Sequence, residues 1–317
     1  MRPAFLFLAI LTACGVDSSN VVGNDETAQG SDALASPVPP IFFNHTFGVM
    51  SAATVNALQT NTWLNNEFID VEMRTTVRPD ITYTGTYLNM RETYLEFFAD
   101  GVFYGSPIGV TGIGLGDEAT GGIQKIVVAW QKEFGATEAY QTKISRTVNN
   151  VSTPWFELAG MSWSDNSAWT SAWGMEYEPD PGQSAPRTRH EERSVRYAPG
   201  KLAQNVLAAI YGLPLADRQN LRRSMKAAGL LVTGDDNHFI ALSAWDHGTR
   251  RVWAIQPDAT GRRGLLGLVL QMNRYVHHTE QLGDAVLEAG VAGLPIAALW
   301  FVPPTAADHA TASALAQ

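Results

Sequence analysis

The chain has 317 residues, enough for two ordinary domains at roughly 150 residues each. Its 45% hydrophobic and 17% charged residues are those of a globular protein, not of a disordered or coiled-coil one. A net charge of −9, from 31 acidic against 22 basic residues with no dense Lys/Arg cluster, argues against nucleic-acid binding. No 18 apolar residues run together, which excludes a polytopic membrane protein. The single cysteine, Cys14, excludes a disulfide framework and a zinc-thiolate site.

Met1-Arg2 gives a short positive start, and Ala4 to Ala13 is an apolar run too short to span a bilayer as a helix. The run ends Leu11-Thr12-Ala13-Cys14, which resembles the bacterial lipoprotein cleavage box. That resemblance implies that residues 1–14 are a signal peptide and lipobox and that acylated Cys14 anchors the chain. The implied location is the bacterial cell envelope. Gly15, where an Asp would resemble the inner-membrane retention signal, favours the outer membrane in a cell that has two. Residues 15–40 are rich in Ser, Asp, Gly, Ala and Pro without apolar periodicity and read as a flexible tether.

Ile41 to Met50 reads as a strand apolar on both faces, followed by an N-cap at Ser51 and helical spacing over Ala52 to Phe68 with Asn61-Thr62 as a break point. Strands then read at Asp70–Arg78, Thr82–Asn89 and Thr93–Ala99. A second pass gives a strand at Val110–Leu115, an amphipathic helix over Ile123–Phe134, and strands at Lys143–Val148, Trp155–Met161 and Ala172–Tyr177. The order strand, helix, three strands repeats at about 75 residues. The ends of the two passes align Tyr94-Leu95-Glu96-Phe97 with Gly174-Met175-Glu176-Tyr177. Residues 181–196 are a connector. A third αβ unit fills 197–304: a strand, a helix over Leu215–Ala228 stopped by Gly229, further strands, and a last hairpin of Ala285–Glu288 with Ala297–Val302. Residues 305–317 are small and polar and read as a frayed tail.

The repeated unit resembles the vicinal-oxygen-chelate superfamily of glyoxalase I, bleomycin-resistance proteins and extradiol dioxygenases. Phe43-Asn44-His45-Thr46-Phe47 looks like its first strand and Tyr94-Leu95-Glu96-Phe97-Phe98 like its fourth. The wording is closer still to a bacterial glyoxalase-like family without established function. The resemblance implies an α+β fold in which paired βαβββ units over 41–180 face each other as a cup. It implies His45, Glu96 and Glu176 as ligands of one divalent ion (zinc, manganese, iron or nickel), with Glu96 or Glu176 also moving a proton. The fourth ligand position, on Thr111-Gly112-Ile113-Gly114-Leu115, carries no donor. The same three residues also suit a structural role, His45 in a core and the carboxylates paired with arginines.

Trp155, Trp163, Trp169 and Trp173, among short polar residues, suit either a planar-ligand site or ordinary sheet packing. Gly109 to Gly116 lacks the Lys-Ser/Thr of a phosphate loop. Asp235, Asp236 and His238 belong first to a turn, and His277-His278 reads as a solvated pair. Two functions follow as expectations. One is an envelope lipoprotein whose cup binds a small molecule, touching the membrane only through its lipid anchor. The other is a metal-dependent lyase, isomerase or dioxygenase acting on a vicinal-oxygen substrate.

Overall fold

The computed structural model describes residues 40–78, 80–180, 182–259 and 261–315; Cys14, the leader and all but the last residue of the tether lie outside the described residues. A first βαβββ unit comprises β1 (Phe42–Met50), α1 (Ala52–Thr60), β2 (Asp70–Val77), β3 (Thr82–Asn89) and β4 (Tyr94–Ala99). A second comprises β5 (Thr111–Asp117), α2 (Gly122–Phe134), β6 (Ala139–Val148), β7 (Val151–Met161), a short α3 (Ser162–Asn166) and β8 (Thr170–Tyr177). Together they make one eight-stranded sheet, ordered β2-β3-β4-β1-β5-β8-β7-β6. β1 runs parallel to β4 and β5 parallel to β8, while β1 and β5 meet antiparallel at the centre. A parallel neighbour requires a crossover connection, and α1 and α2 lie within those connections. This is an α+β fold of paired βαβββ units, the arrangement that the resemblance implied.

The helical stretch over 52–68 does break at Asn61, giving two elements. Asn61 takes extended backbone, and its Oδ1 accepts from the N–H of Leu64, which starts a separate π-helical turn, Leu64–Phe68. The connector also holds structure: α4 (Arg189–Ser194) begins with a capping box between Thr188 and Glu191.

The third αβ unit is larger than its sequence suggests. β9 (Ala203–Leu213), α5 (Leu215–Ala227), β10 (Leu231–Gly234), β11 (Phe239–Leu242) and β12 (Val252–Pro257) repeat the βαβββ order. Four more strands follow: β13 (Gly264–Met272), β14 (His278–Leu282), β15 (Ala285–Ala289) and β16 (Ile296–Trp300). All eight form a second sheet, β10-β11-β12-β9-β13-β16-β15-β14, with the spatial order of the first. The last four-strand unit has no helix after its first strand. Without that crossover its strands simply alternate in direction, so β16 lies antiparallel to β13 where β8 lies parallel to β5. The absent helix is why sequence periodicity did not mark it as a fourth repeat. The expected hairpin is present as β15 against β16.

The main core lies between the two sheets. It joins Phe43, Leu95, Phe97, Ile113 and Leu115 of the first to Val206, Ala209, Tyr211, Leu268 and Leu270 of the second. α2 and α5 pack together at one side, where the indole N–H of Trp130 donates to the carbonyl of Ser224 at 2.9 Å. At the other side α1 packs on β14, and Trp63 stacks on His278 at 3.8 Å, so that histidine is half-buried rather than solvated. Across the middle Phe43 stacks on Trp253 at 5.2 Å, and the Tyr211 hydroxyl donates to that of Thr46 at 2.9 Å. The tail does not fray: α6 (Ala306–Leu315) folds back. Ala312 is fully buried among Ala208, Ile210, Val269 and Trp300, and Asp308 is buried against Arg262.

Candidate functional site

The face of the first sheet turned away from the second carries an aromatic cup. Along β1, His45, Phe47 and Val49 point into it. A bulge between Phe43 and His45 sets that phase, so Phe43 and Thr46 face the second sheet. β5 makes room by having no side chains where the cup is narrowest. A Cβ on Gly112 would stand 2.1 Å from the Phe47 ring, and one on Gly114 2.7 Å from His45 Nδ1. The glycines of this run are therefore packing positions, not a phosphate loop.

A cavity of about 70 Å³ remains, lined by His45, Phe47, Tyr94, Glu96, Trp155 and Trp173 among others, with Phe103 and Arg78 towards one end. It is well below the 300–1,000 Å³ usual for drug-sized ligands and half the roughly 150 Å³ hollow that admits benzene. It suits a molecule of a few heavy atoms. Of the four tryptophans clustered in sequence, Trp155 and Trp173 line it. Trp163 instead donates to the Ser224 hydroxyl, and Trp169 lies under Arg263.

His45 is buried and its ring stacks on Tyr94 at 4.3 Å. Its Nδ1 meets Asn44 Oδ1 at 2.9 Å, and the Tyr177 hydroxyl donates to the same oxygen. His45 therefore donates through Nδ1 and keeps Nε2 as an acceptor. Burial first, then the charges of Arg193 and Arg74, hold its pKa well below the usual histidine value, so it is neutral at pH 7. Glu96 accepts from the Tyr87 hydroxyl, and burial pushes its pKa up to about 6 against the opposing pull of Tyr87, Arg74 and Arg193.

Glu176 does not join them. Along β8, Trp173 and Met175 face the cup, so Glu176 is directed to the opposite face. There its oxygens accept from the N–H groups of Gly121 and Ile123 at 3.3 Å each, at the N-terminus of α2. The alignment of Glu96 with Glu176 is thus one residue out of phase, and one residue moves a side chain to the other side of a sheet. Two donors remain in the cup, where catalytic metal sites commonly offer three, and arginines surround them. The residues of the cup do not fit a metal ion, and Glu176 has no part in moving a proton there.

One other group among the described residues brings three donor atoms within 4.8 Å of one another: Glu92, Asp246 and His247. It sits where the sheets join, outside the cup. Its carboxylates are already engaged. Arg251 reaches Asp246 at 2.5 Å and Glu92 at 3.0 Å, and Arg189 reaches Asp246 at 2.9 Å. The arrangement is an ion-pair bolt between sheets, and a cation would have to displace two guanidinium groups from it.

The sequence reading missed the arginines. Arg193 on α4 is 1% exposed and lies 4.2 Å over the Tyr94 ring, Arg146 lies 4.8 Å over Trp155, and Arg74 lies 3.8 Å over Tyr87. Thr188-x-x-Glu191 was the available signal, because a capping box marks a helix start inside what reads as a connector.

A model of the family described as "Family of unknown function (DUF5829)" matches residues 43–293, and the chain belongs to that family. The sequence matches no curated protein. Among solved structures, a hypothetical protein from Staphylococcus aureus is similar at 9% identity and TM-score 0.49, over 78% of this chain and 97% of that one. A mutant of 4-hydroxymandelate synthase from Streptomyces coelicolor is similar at 10% identity and TM-score 0.35, over 70% of this chain and 64% of that one. A xylose isomerase-like TIM barrel/4-hydroxyphenylpyruvate dioxygenase fusion protein is similar at 10% identity and TM-score 0.35, over 73% of this chain and 36% of that one.

Proposed function

We propose that this protein is an envelope lipoprotein whose first cup binds a small molecule without a metal ion. The observation that carries the reading is the division of the expected ligand set: His45 and Glu96 line an aromatic cavity, and Glu176 caps a helix on the far side of the sheet. A neutral imidazole acceptor, a carboxyl group that titrates near pH 6 and stacked rings form a recognition surface for a compact planar or oxygen-bearing ligand. The alternative of a metal-dependent lyase, isomerase or dioxygenase is disfavoured by the missing third donor.

Trp155 and Trp173 make the cavity its own reporter. With purified, chelator-treated full chain, acetate and acetamide serve as small probes, and at least one should change tryptophan fluorescence saturably. Zinc, manganese, iron(II) and nickel should neither bind at about one ion per chain nor raise the melting temperature. One tightly held ion per chain that is lost in His45→Ala would overturn the reading in favour of the metal enzyme. Anchoring is tested separately. Cys14→Ser should move the chain from the membrane fraction to the soluble exported fraction, and unchanged membrane attachment would remove the lipoprotein part of the proposal.

A further inference from the structure

Arginines cluster between α4 and the aromatic rings of the first cup. Glu192 on α4 is buried and receives three guanidinium groups: Arg187 at 2.6 Å, Arg193 at 3.4 Å and Arg146 at 3.6 Å. Arg74 reaches Glu72 at 3.8 Å, feels the Glu96 carboxylate and the Tyr87 hydroxyl, and shares Glu72 with Arg196 at 3.0 Å. Several buried N–H groups are left over. Arg193 Nε and Nη1, Arg146 Nε and Arg74 Nη1 have no hydrogen-bond partner among the described residues. Unpartnered N–H groups on a buried guanidinium are costly, and Arg193 is almost completely buried with Nη2 alone reaching a carboxylate, that of Glu192. Its position is fixed from both sides: the capping box sets α4, and the Tyr94 ring lies beneath its guanidinium. Tyr94 also stacks on His45, and Trp155, beneath Arg146, lines the cavity. The unpaired donors and the cavity thus share two aromatic side chains.

We propose that Arg193, with Arg146 and Arg74, forms an oxyanion-binding subsite at the α4 end of the first cup, so that the ligand of this cup is a small carboxylate or phosphate compound. A guanidinium group offers a planar fork of N–H donors that pairs with carboxylate or phosphate oxygens. The proposal rests on the cup being a small-molecule site and adds the charge of what enters it. Two of these arginines, Arg193 and Arg74, also act on His45, adding to burial in keeping that imidazole neutral.

The test is binding to the purified full chain of acetate, inorganic phosphate and the neutral isostere acetamide, in a buffer free of other oxyanions. Acetate or phosphate should bind at least about tenfold more tightly than acetamide, the better of the two naming the oxyanion. Arg193→Met should lose about that factor, and Arg193→Lys should recover part of it. Because Glu192 keeps Arg187 at 2.6 Å and Arg146 at 3.6 Å, Arg193→Met should melt within about 4 °C of the parent, or above it, when no oxyanion is present. Arg146→Gln, at a partly exposed position, provides a second variant with the same expected direction should Arg193→Met not fold. Acetamide binding as tightly as acetate, with Arg193 and Arg146 indifferent, would sink the oxyanion subsite and leave the small-molecule cup standing. Failure of all three probes to bind would remove both.

Discussion

Replacement of Arg251 by Met is expected to lower the free energy of unfolding by about 3–5 kcal/mol, the usual cost of breaking a buried ion pair from one side. Arg251 stands just before β12 in the second sheet and is buried. Its two terminal nitrogens reach in different directions, Nη1 to Asp246 Oδ2 at 2.5 Å and Nη2 to Glu92 Oε2 at 3.0 Å. Glu92 belongs to the turn between β3 and β4 of the first sheet, so the side chain ties one sheet to the other. Asn205 on β9 reinforces the junction, donating to Glu92 Oε2 at 2.8 Å and accepting from the Glu92 N–H at 3.0 Å. With Met in place the apolar volume is kept, but Glu92 retains only the half-exposed Arg91 as a cationic partner at close range apart from His247. Asp246 keeps Arg189. The penalty is therefore an under-compensated buried carboxylate, not lost packing. Chemical denaturation of parent and variant measures it. A loss below about 1 kcal/mol would mean that the junction relaxes and hydrates, and that the sheets are held by their apolar core alone. His247→Ala provides the contrast. That side chain is 66% exposed, and its replacement should stay within about 0.5 kcal/mol of the parent.

The second large effect is a stabilisation that depends on pH. Asp117 ends β5 with its side chain against the first turn of α2. A Cβ on Gly122 would overlap its Oδ2, so only glycine at that position admits it. Its Oδ1 accepts from the Ala119 N–H at 2.9 Å, but Oδ2 is buried without a partner among the described residues. Glu176 is its register neighbour on β8 and takes the α2 N–H groups for itself. Burial first, and then the charges of Glu176 and Glu118, push the Asp117 pKa up to about 7. Between the ordinary aspartate value of 3.8 and about 7, the folded chain binds a proton that the unfolded chain does not. Stability contributed by this residue is therefore highest in acid and falls as pH rises towards 7. Asn mimics the protonated form and keeps the acceptor for Ala119. At pH 8 Asp117→Asn should be more stable than the parent by about 2 kcal/mol, roughly half of what the full displacement implies at 1.4 kcal/mol per unit. At pH 4 the two should be equal. Denaturation curves across that range decide it: a parallel pair of profiles, or a less stable variant at pH 8, would show that ionised Asp117 is paid for by the helix N-terminus.

Much of the first sheet was legible in the residues themselves. Phe42–Met50 carries apolar side chains on both faces because it is central, with parallel β4 on one side and antiparallel β5 on the other. Ile123, Ile126, Val127 and Trp130 recur at helical spacing because α2 covers one face of that sheet. Local pattern is sufficient for such elements, since each is set by which of its own side chains must leave water. His45 and Glu96 were paired by the family resemblance and not by local pattern, and they line one cavity because the strands that carry them are adjacent.

Tertiary structure decided the rest. Glu96 and Glu176 occupy similar words in the sequence, but the phase of a strand relative to its sheet is set by neighbours. On β8, Trp173 and Met175 fill the cup and leave Glu176 for the helix end. The fourth unit was invisible because its strands lack the helix that gave the other three their periodicity, and only pairing with β9 reveals it. The tail and the connector looked polar because each buries a few chosen residues, Ala312 and Asp308 in one, Glu192 and Arg193 in the other, among long-range partners. Burial of a single arginine carries no periodic signal along the chain, since it depends on Tyr94, almost a hundred residues away in sequence, being placed beneath it by the fold.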